Sequence, residues 1–242
     1  MKTILLIARR ELAANFRSMS GYVIAAVVLL IDGLLFQSSV MSNEEKRLSA
    51  QVLANFFYIS SGTTMVASIF ISMRLLAEER QTGTLVLLMS SPVRDREIVI
   101  GKWIAALAFL AILTLATFYI PALVFVHGKV SLGHVAGGYL GLLLLGSATL
   151  AIGTLGSALA RTQVLAAIIS GCMVVGLIVC WLLARVTERP LNDVFTALAL
   201  HGRHFQPFQS GVVHLRDVAY YALVSYVALF AATRVLEARR WK

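Results

Sequence analysis

Long apolar runs, separated by shorter polar and charged stretches, dominate the pattern of residues along the chain. Six of these runs have about the 20 residues that a helix needs to cross a bilayer. They predict membrane-spanning helices at residues 21–40, 56–76, 103–126, 138–159, 164–183 and 218–236. We therefore expect an all-α polytopic membrane protein with six transmembrane helices, in which residues 1–242 form a single transmembrane domain.

Two polar stretches and the segment before the first span add shorter helices to this pattern. Residues 3–19 predict an amphipathic helix lying on the membrane surface, because a helical wheel places arginines beside one apolar arc, formed by Ile4, Leu5, Ala8, Leu12, Phe16 and Met19. The alternative is a helix packed on a soluble partner, but the adjacent span favours the membrane. Residues 77–102 are too charged to span, and residues 184–217 form a long loop with room for re-entrant helices.

Composition and charge support the membrane assignment. Hydrophobic residues make up 59% of the chain and charged residues 14%, whereas soluble domains carry roughly 25% charged residues. Two-thirds of the 21 lysines and arginines fall on the side of the predicted membrane that carries both termini. The positive-inside rule places that side in the cytoplasm. We therefore attribute the net charge of +9 to lysines and arginines that fix the topology and meet the headgroups of the lipid bilayer. We expect no nucleic-acid partner.

The beginning of the sequence does not have the pattern of a cleaved signal peptide. The first apolar run begins only near Tyr22, after Arg9, Arg10, Glu11 and Arg17. No small-x-small cleavage site follows that run. We expect these residues to remain in the mature protein.

Two kinds of residue inside the spans are candidates for a pathway or a dimer interface. Asp32 lies in the first span, and a carboxylate in hydrocarbon is a functional-site hypothesis by default. The alternative is a structural role in which Asp32 reaches water, a partner or Gln37. Gly137, Gly141 and Gly153 have the small-xxx-small spacing that lets helix backbones approach closely, within the chain or across a dimer.

The loop at residues 77–102 contains an apolar run, Leu85 to Met89, that is too short to cross a bilayer. Gly83 precedes the run, and Ser91 and Pro92 after it are typical of a helix start. The pattern predicts a short helix at residues 84–90 and a second helix that starts near Pro92 and continues into the third span. The alternative is an ordinary linker at the interface.

The string EERQTGTLVLLMSSPVRDREIVIGK resembles the loop of ABC-2 type exporter permeases, and the shared positions are Glu78, Glu79, Gly83, Thr84, Leu85, Leu87, Leu88, Ser91, Pro92, Val93, Glu97, Ile98, Gly101 and Lys102. A second stretch, HGRHFQPFQSGVVHLRDVAYY followed by RVLEARRW, is similar to the gliding-motility subfamily of these permeases. The resemblance therefore extends over nearly the whole chain.

The resemblance implies a permease subunit of an ATP-driven ABC exporter in a bacterial inner membrane. In that family the loop between the second and third spans is a cytoplasmic coupling helix that docks on a separate ATP-binding subunit. The positions implied here are Glu78, Glu79, Arg80, Gly83, Thr84, Leu85, Leu88, Met89 and Pro92. Charges in this set would pair at the rim of the docking site. Such exporters use twice six spans, which implies a second copy or a companion permease as a further partner.

The sequence has no phosphate-binding loop of its own. That motif requires Ser or Thr after Gly-Lys, whereas Trp103 follows Gly101-Lys102 and Val130 follows Gly128-Lys129. We expect no catalytic residue, cofactor or metal on this chain, with ATP and magnesium used by the partner ATPase. A non-transporting scaffold, a channel and an intramembrane enzyme stay open as alternatives.

An enzyme or a metal site would need histidines in suitable places. The serines in Gly146-Ser147 and Gly156-Ser157 have no histidine in a predicted span to act as a base. His201 and His204 are three residues apart, a spacing that suits a metal on one helical turn. Gly202 between them and the absence of a carboxylate or cysteine ligand nearby in the sequence weaken that interpretation.

Overall fold

A computed structural model of the chain describes residues 2–41, 49–84, 93–127, 131–188 and 191–240, and these residues form helices joined by turns and short loops, without strands. The helices are, in chain order, α1 (Lys2–Arg17), α2 (Met19–Met41), α3 (Ser49–Ser72), α4 (Ala77–Gln81), α5 (Asp95–Ala116), α6 (Tyr119–His127), α7 (Leu132–Leu159), α8 (Gln163–Val186), α9 (Leu191–Leu198), α10 (Gln206–Gln209) and α11 (Leu215–Arg240).

Six stretches of the described residues are long and apolar enough to cross a membrane. They are Met19–Ser38, Ala50–Gln81, Asp95–Val124, Leu132–Leu159, Gln163–Val186 and Leu215–Arg239. This confirms the prediction of an all-α protein with six transmembrane helices. Each stretch contains or closely overlaps a predicted span, and several are longer because a helix continues past its apolar run for as long as its backbone bonds are satisfied.

The third span illustrates this extension. Its helix α5 begins at Asp95, well before the predicted apolar run at residues 103–126. At the start of α5 the backbone N–H of Arg94 donates to Glu97 Oε2 at 3.4 Å, so the acidic first turn satisfies a free backbone donor. The helix start predicted near Pro92 lies outside the described residues.

Helix α7 is the centre of the molecule and packs against α3, α5, α8 and α11. In its most apolar window 72% of the residues are buried, against 11% for the first span and 17% for the fifth. The first and fifth spans therefore present most of their apolar surface outward. Large aromatic side chains, including Phe56, Phe57, Tyr139 and Tyr221, form the main core beside α7.

The small residues of α7 bring its neighbours close. A Cβ placed at Gly137 would meet the backbone of Gly211, and one at Gly141 would meet Phe208. Gly153 stands against Ser72 of α3 in the same way. At these three glycines, the predicted close packing is made within the chain.

The amphipathic helix α1 lies along α5. Ala8 is buried, and the Phe16 ring meets the Phe109 ring edge-on at 5.3 Å between centroids. Leu5, however, is 70% exposed although it belongs to the predicted apolar arc. Part of that arc is thus used in packing on the bundle, and part is left free for the lipid surface.

Candidate functional site

An ionic cluster joins α1, α4 and α5 at the end of the bundle that carries α4. The ammonium of Lys102 lies 2.8 Å from Glu79 Oε1 and 3.2 Å from Glu11 Oε1. Only 2% of the Lys102 side chain is exposed, so this charge depends on its two carboxylate partners. Arg10 adds a second cation at the surface, 3.1 Å from Glu11 and 3.9 Å from Glu79. We call Glu11, Glu79 and Lys102 the ionic junction.

The neighbours of Glu79 on α4 are also engaged with the rest of the chain. Arg74 makes a two-pronged pair with Glu78, at 2.7 and 3.1 Å. Arg80 donates to the carbonyl of Ala160, in the short connection between α7 and α8, at 2.8 Å. The three charges predicted to pair with a partner at a rim have partners inside the chain, where they fix the start of the loop to the spanning helices.

Ser157 of α7 holds the break between α3 and α4. Its hydroxyl oxygen accepts from the backbone N–H groups of Leu76 and Ala77, at 3.1 and 3.0 Å, and it donates to the carbonyl of Met73 at 3.1 Å. These backbone groups lie where the helix of the second span is interrupted. One buried side chain thus replaces hydrogen bonds that the interrupted helix has lost.

The chain turns at Gly83, shortly after the end of α4. The φ of Gly83, +74°, is in the left-handed region that favours glycine, which is typical of a residue that ends a helix. The Thr84 hydroxyl then donates back to the carbonyl of Glu79 at 3.3 Å. The other predicted coupling residues, Leu85, Leu88, Met89 and Pro92, lie outside the described residues, as does most of the helix predicted at 84–90.

Asp32 has a partner that hydropathy did not indicate. Only 3% of Asp32 is exposed, and the Thr63 hydroxyl of α3 donates to its Oδ1 at 2.6 Å. Thr63 also lines a cavity of about 630 Å³ between α2 and α3, whose walls are mostly apolar. Asp32 therefore lies behind Thr63, one of the few polar residues that line this mostly apolar groove.

The same groove contains a contact between a serine and a histidine. His201 Nε2 lies 2.8 Å from Ser61 Oγ, and the Ser61 hydroxyl donates to the carbonyl of Tyr58 at 2.6 Å. Because the Ser61 hydroxyl donates its proton to a backbone carbonyl, its oxygen accepts a hydrogen bond from the N–H of His201. Burial lowers the pKa of His201 below its ordinary value of 6.5, which favours this neutral donor form. The contact ties the loop to α3 and is not arranged as a nucleophile and its base.

The second loop histidine has a separate partner. His204 Nδ1 lies 2.8 Å from Asp217 Oδ1, and its ring stacks on Tyr220 at 3.9 Å between centroids. His201 and His204 therefore point to different groups, and no cluster of three metal-ligating side chains occurs among the described residues. Sequence reasoning missed Asp217 because it lies on α11, thirteen residues further along the chain.

Sequence reasoning also missed the members of the ionic junction other than Glu79. The sequence carries a weak indication of each of these residues. Glu11 is the one acidic residue in α1, and Lys102 ends the Gly-Lys pair of the loop motif while starting an apolar run. Neither signal indicates which carboxylate meets which cation, because that depends on how α1 packs along α5.

Comparison with protein families gives a match over most of the chain. A family model described as an ABC-2 family transporter protein matches residues 5–210. The matched segment includes the ionic junction, Ser157 and the groove beside Asp32, and it ends before α11. No curated protein matches the sequence.

Proposed function

Because the chain belongs to the ABC-2 family of transporter proteins and is a multi-pass permease component of an ABC transporter, we propose that it couples ATP hydrolysis by a separate ATPase subunit to export of a substrate. We place it in a bacterial inner membrane with the basic end of the bundle in the cytoplasm. The resemblance of residues 201–221 and 234–241 to gliding-motility permeases is the basis for proposing a role in that process.

The ionic junction is the observation that best supports a coupling role. A movement imposed on the loop by a partner reaches the spans only if the loop is rigidly attached to them. Glu79 attaches the loop to α5 through Lys102, and Lys102 holds α1 through Glu11. Arg80 and Ser157 attach the same region to α7 and its connection to α8. A push on α4 is thereby distributed over four helices.

The test is the ATPase rate of the cognate nucleotide-binding subunit, with and without this chain, in lipid nanodiscs. We expect the wild-type chain to bind the subunit and change its rate, and Leu85→Asp/Leu88→Asp to do neither. The matched control is Val212→Asp/Val213→Asp, which places two carboxylates at exposed apolar positions in the other long loop. An ATPase that ignores both the wild-type chain and the double variant would leave a scaffold or a channel as the better account.

We further propose that the complete exporter contains two permease subunits and that the groove beside Asp32 belongs to the substrate pathway. Several of its apolar lining residues, among them Val27, Tyr58 and Phe70, are exposed on the outside of the bundle, so an apolar molecule in the membrane can reach it. Ser61, Thr63 and His201 supply polar contacts within it.

Asp32→Asn tests the pathway proposal. Asn has the same shape and can still accept from Thr63, so the thermal stability of the variant should stay near that of wild type. We expect the stimulated ATPase rate to fall severalfold because the site loses its carboxylate. Equal rates in both chains would assign Asp32 a structural role.

A further inference from the structure

A second groove, separate from the ionic junction and from the groove beside Asp32, lies between α5 and α11. It has a volume of about 300 Å³. Its apolar wall is formed by Ile100, Leu229 and Phe230, and Arg96 and Arg234 also line it. Both arginines lie near the membrane ends of their helices, at the same end of the bundle as α4. The groove therefore combines positive charge with apolar surface where the spans leave the membrane.

The charges of this groove are accessible. The Arg234 side chain is 59% exposed, stands 4.9 Å above the Phe230 ring and pairs with Glu237 at 2.9 Å. Arg96 is exposed in the first turn of α5. Phe230 is 49% exposed and stacks with Tyr226, so the wall below the arginines faces the surrounding lipid.

We propose that this groove binds one anionic phospholipid. Its phosphate would lie between Arg96 and Arg234, and the first part of an acyl chain would follow Leu229 and Phe230. Two features support this ligand over a soluble anion: the positive charges match a phosphate, and the apolar wall continues from them along the membrane-facing side of two spans. The proposal does not depend on coupling to an ATPase.

Glu237 provides a variant that should have the opposite effect on lipid binding. Its carboxylate pairs with Arg234, so it competes with a lipid phosphate for the same guanidinium. Removing that carboxylate should strengthen lipid binding, whereas removing the arginines should weaken it. A variant that merely misfolds cannot produce the first of these effects.

The test is native mass spectrometry of the full-length protein, released from detergent after titration with phosphatidylglycerol or phosphatidylcholine. We expect one tightly held phosphatidylglycerol and no comparable phosphatidylcholine. Arg96→Gln/Arg234→Gln should weaken the phosphatidylglycerol affinity on the order of tenfold. Glu237→Gln should increase it by a fewfold.

The control is Arg94→Gln/Arg161→Gln, which removes two exposed charges from the same end of the bundle without touching the groove. It should keep the affinity of wild type. Equal losses in the two double variants, or no gain in Glu237→Gln, would overturn the specific site. Glycerol 3-phosphate carries the headgroup charge without acyl chains, and binding as tight as that of the lipid would overturn the lipid assignment.

Discussion

Lys102 is almost completely buried, which is rare for a lysine side chain. The cost of removing an ammonium from water is several kcal/mol, and here it is offset by two carboxylates that come from different helices. Glu79 Oε2 is itself buried without a hydrogen-bond partner, so the carboxylate depends heavily on the contact that its other oxygen makes with Lys102. One lysine thus holds together α1, α4 and α5.

Lys102→Met should lower the free energy of unfolding by about 3 to 5 kcal/mol, because it leaves two partly buried carboxylates with the exposed Arg10 as their remaining cation. Thermal unfolding in detergent measures the loss. Glu79→Gln combined with Lys102→Met should recover part of it, since one of the stranded charges is gone. The control is Arg10→Gln, whose side chain is 68% exposed and whose removal should cost less than about 1 kcal/mol. Equal losses for Arg10→Gln and Lys102→Met would contradict the junction.

His201 gives the protein a predictable response to pH. Burial holds its pKa in the folded chain below 6.5, so below that pH the unfolded chain binds a proton that the folded chain does not. Stability is therefore retained above about pH 6.5 and lost as the pH falls below it.

Melting temperatures at about pH 7.5 and about pH 5.5 check this. On acidification, the melting temperature should fall less for His201→Gln than for wild type, because the variant no longer has this proton linkage. His214→Gln is the control, since His214 is exposed and its loss should leave the drop unchanged. A drop that is the same in all three chains would mean that His201 does not titrate as described.

The sequence predicts some of the site residues but not the partners that they contact. Asp32 was recognised because a carboxylate inside an apolar run is conspicuous, but its partner Thr63 was not, since a threonine in a span has no such signal. Charged residues in the loop motif were expected to face a partner, whereas Glu78 and Glu79 pair with Arg74 and Lys102. Those pairings depend on tertiary packing.

At the level of elements, apolar length was sufficient to predict the six spans, but not where a span breaks. The second span was predicted as one run, 56–76, whereas α3 ends at Ser72 and α4 begins at Ala77. Apart from Arg74, the residues at the break are as apolar as those before it. The break is stabilised by Ser157, which lies some eighty residues away in the sequence.

Ser157→Ala should therefore destabilise the protein through this break. It leaves the buried N–H groups of Leu76 and Ala77 without the hydroxyl that accepts from them, at a cost of about 1 to 3 kcal/mol for each. We expect a total loss of about 2 to 6 kcal/mol by thermal unfolding, and weaker ATPase stimulation because α4 is no longer fixed.

Ser147→Ala is the control for this change. Ser147 lies on the same helix, but its hydroxyl meets one other hydroxyl, that of Ser225, at 3.0 Å. Its loss should cost about 1 kcal/mol. If Ser147→Ala proved as destabilising as Ser157→Ala, the break would not depend on the hydroxyl that bridges it.

At the scale of the whole molecule, the distribution of burial separates the central helix α7 from the outward-facing helices α2 and α8. Helix α8 presents one exposed stripe, formed by Leu165, Ile168, Cys172, Val175, Val179 and Leu182. The spacing of three and four residues keeps these side chains on one face. If two permease subunits form the exporter, such a stripe is suited to pack against its own copy.

This arrangement predicts a specific crosslink. In a two-fold symmetric pair, a residue near the axis meets the same residue of the partner. Cys172 lies near the middle of the stripe, whereas Cys180 is half-buried. Mild oxidation of native membranes should therefore give a disulfide-linked dimer in wild type and in Cys180→Ser, and none in Cys172→Ser. A dimer that persists in Cys172→Ser, or one that is absent from wild type, would mean that the stripe faces lipid or a companion subunit instead.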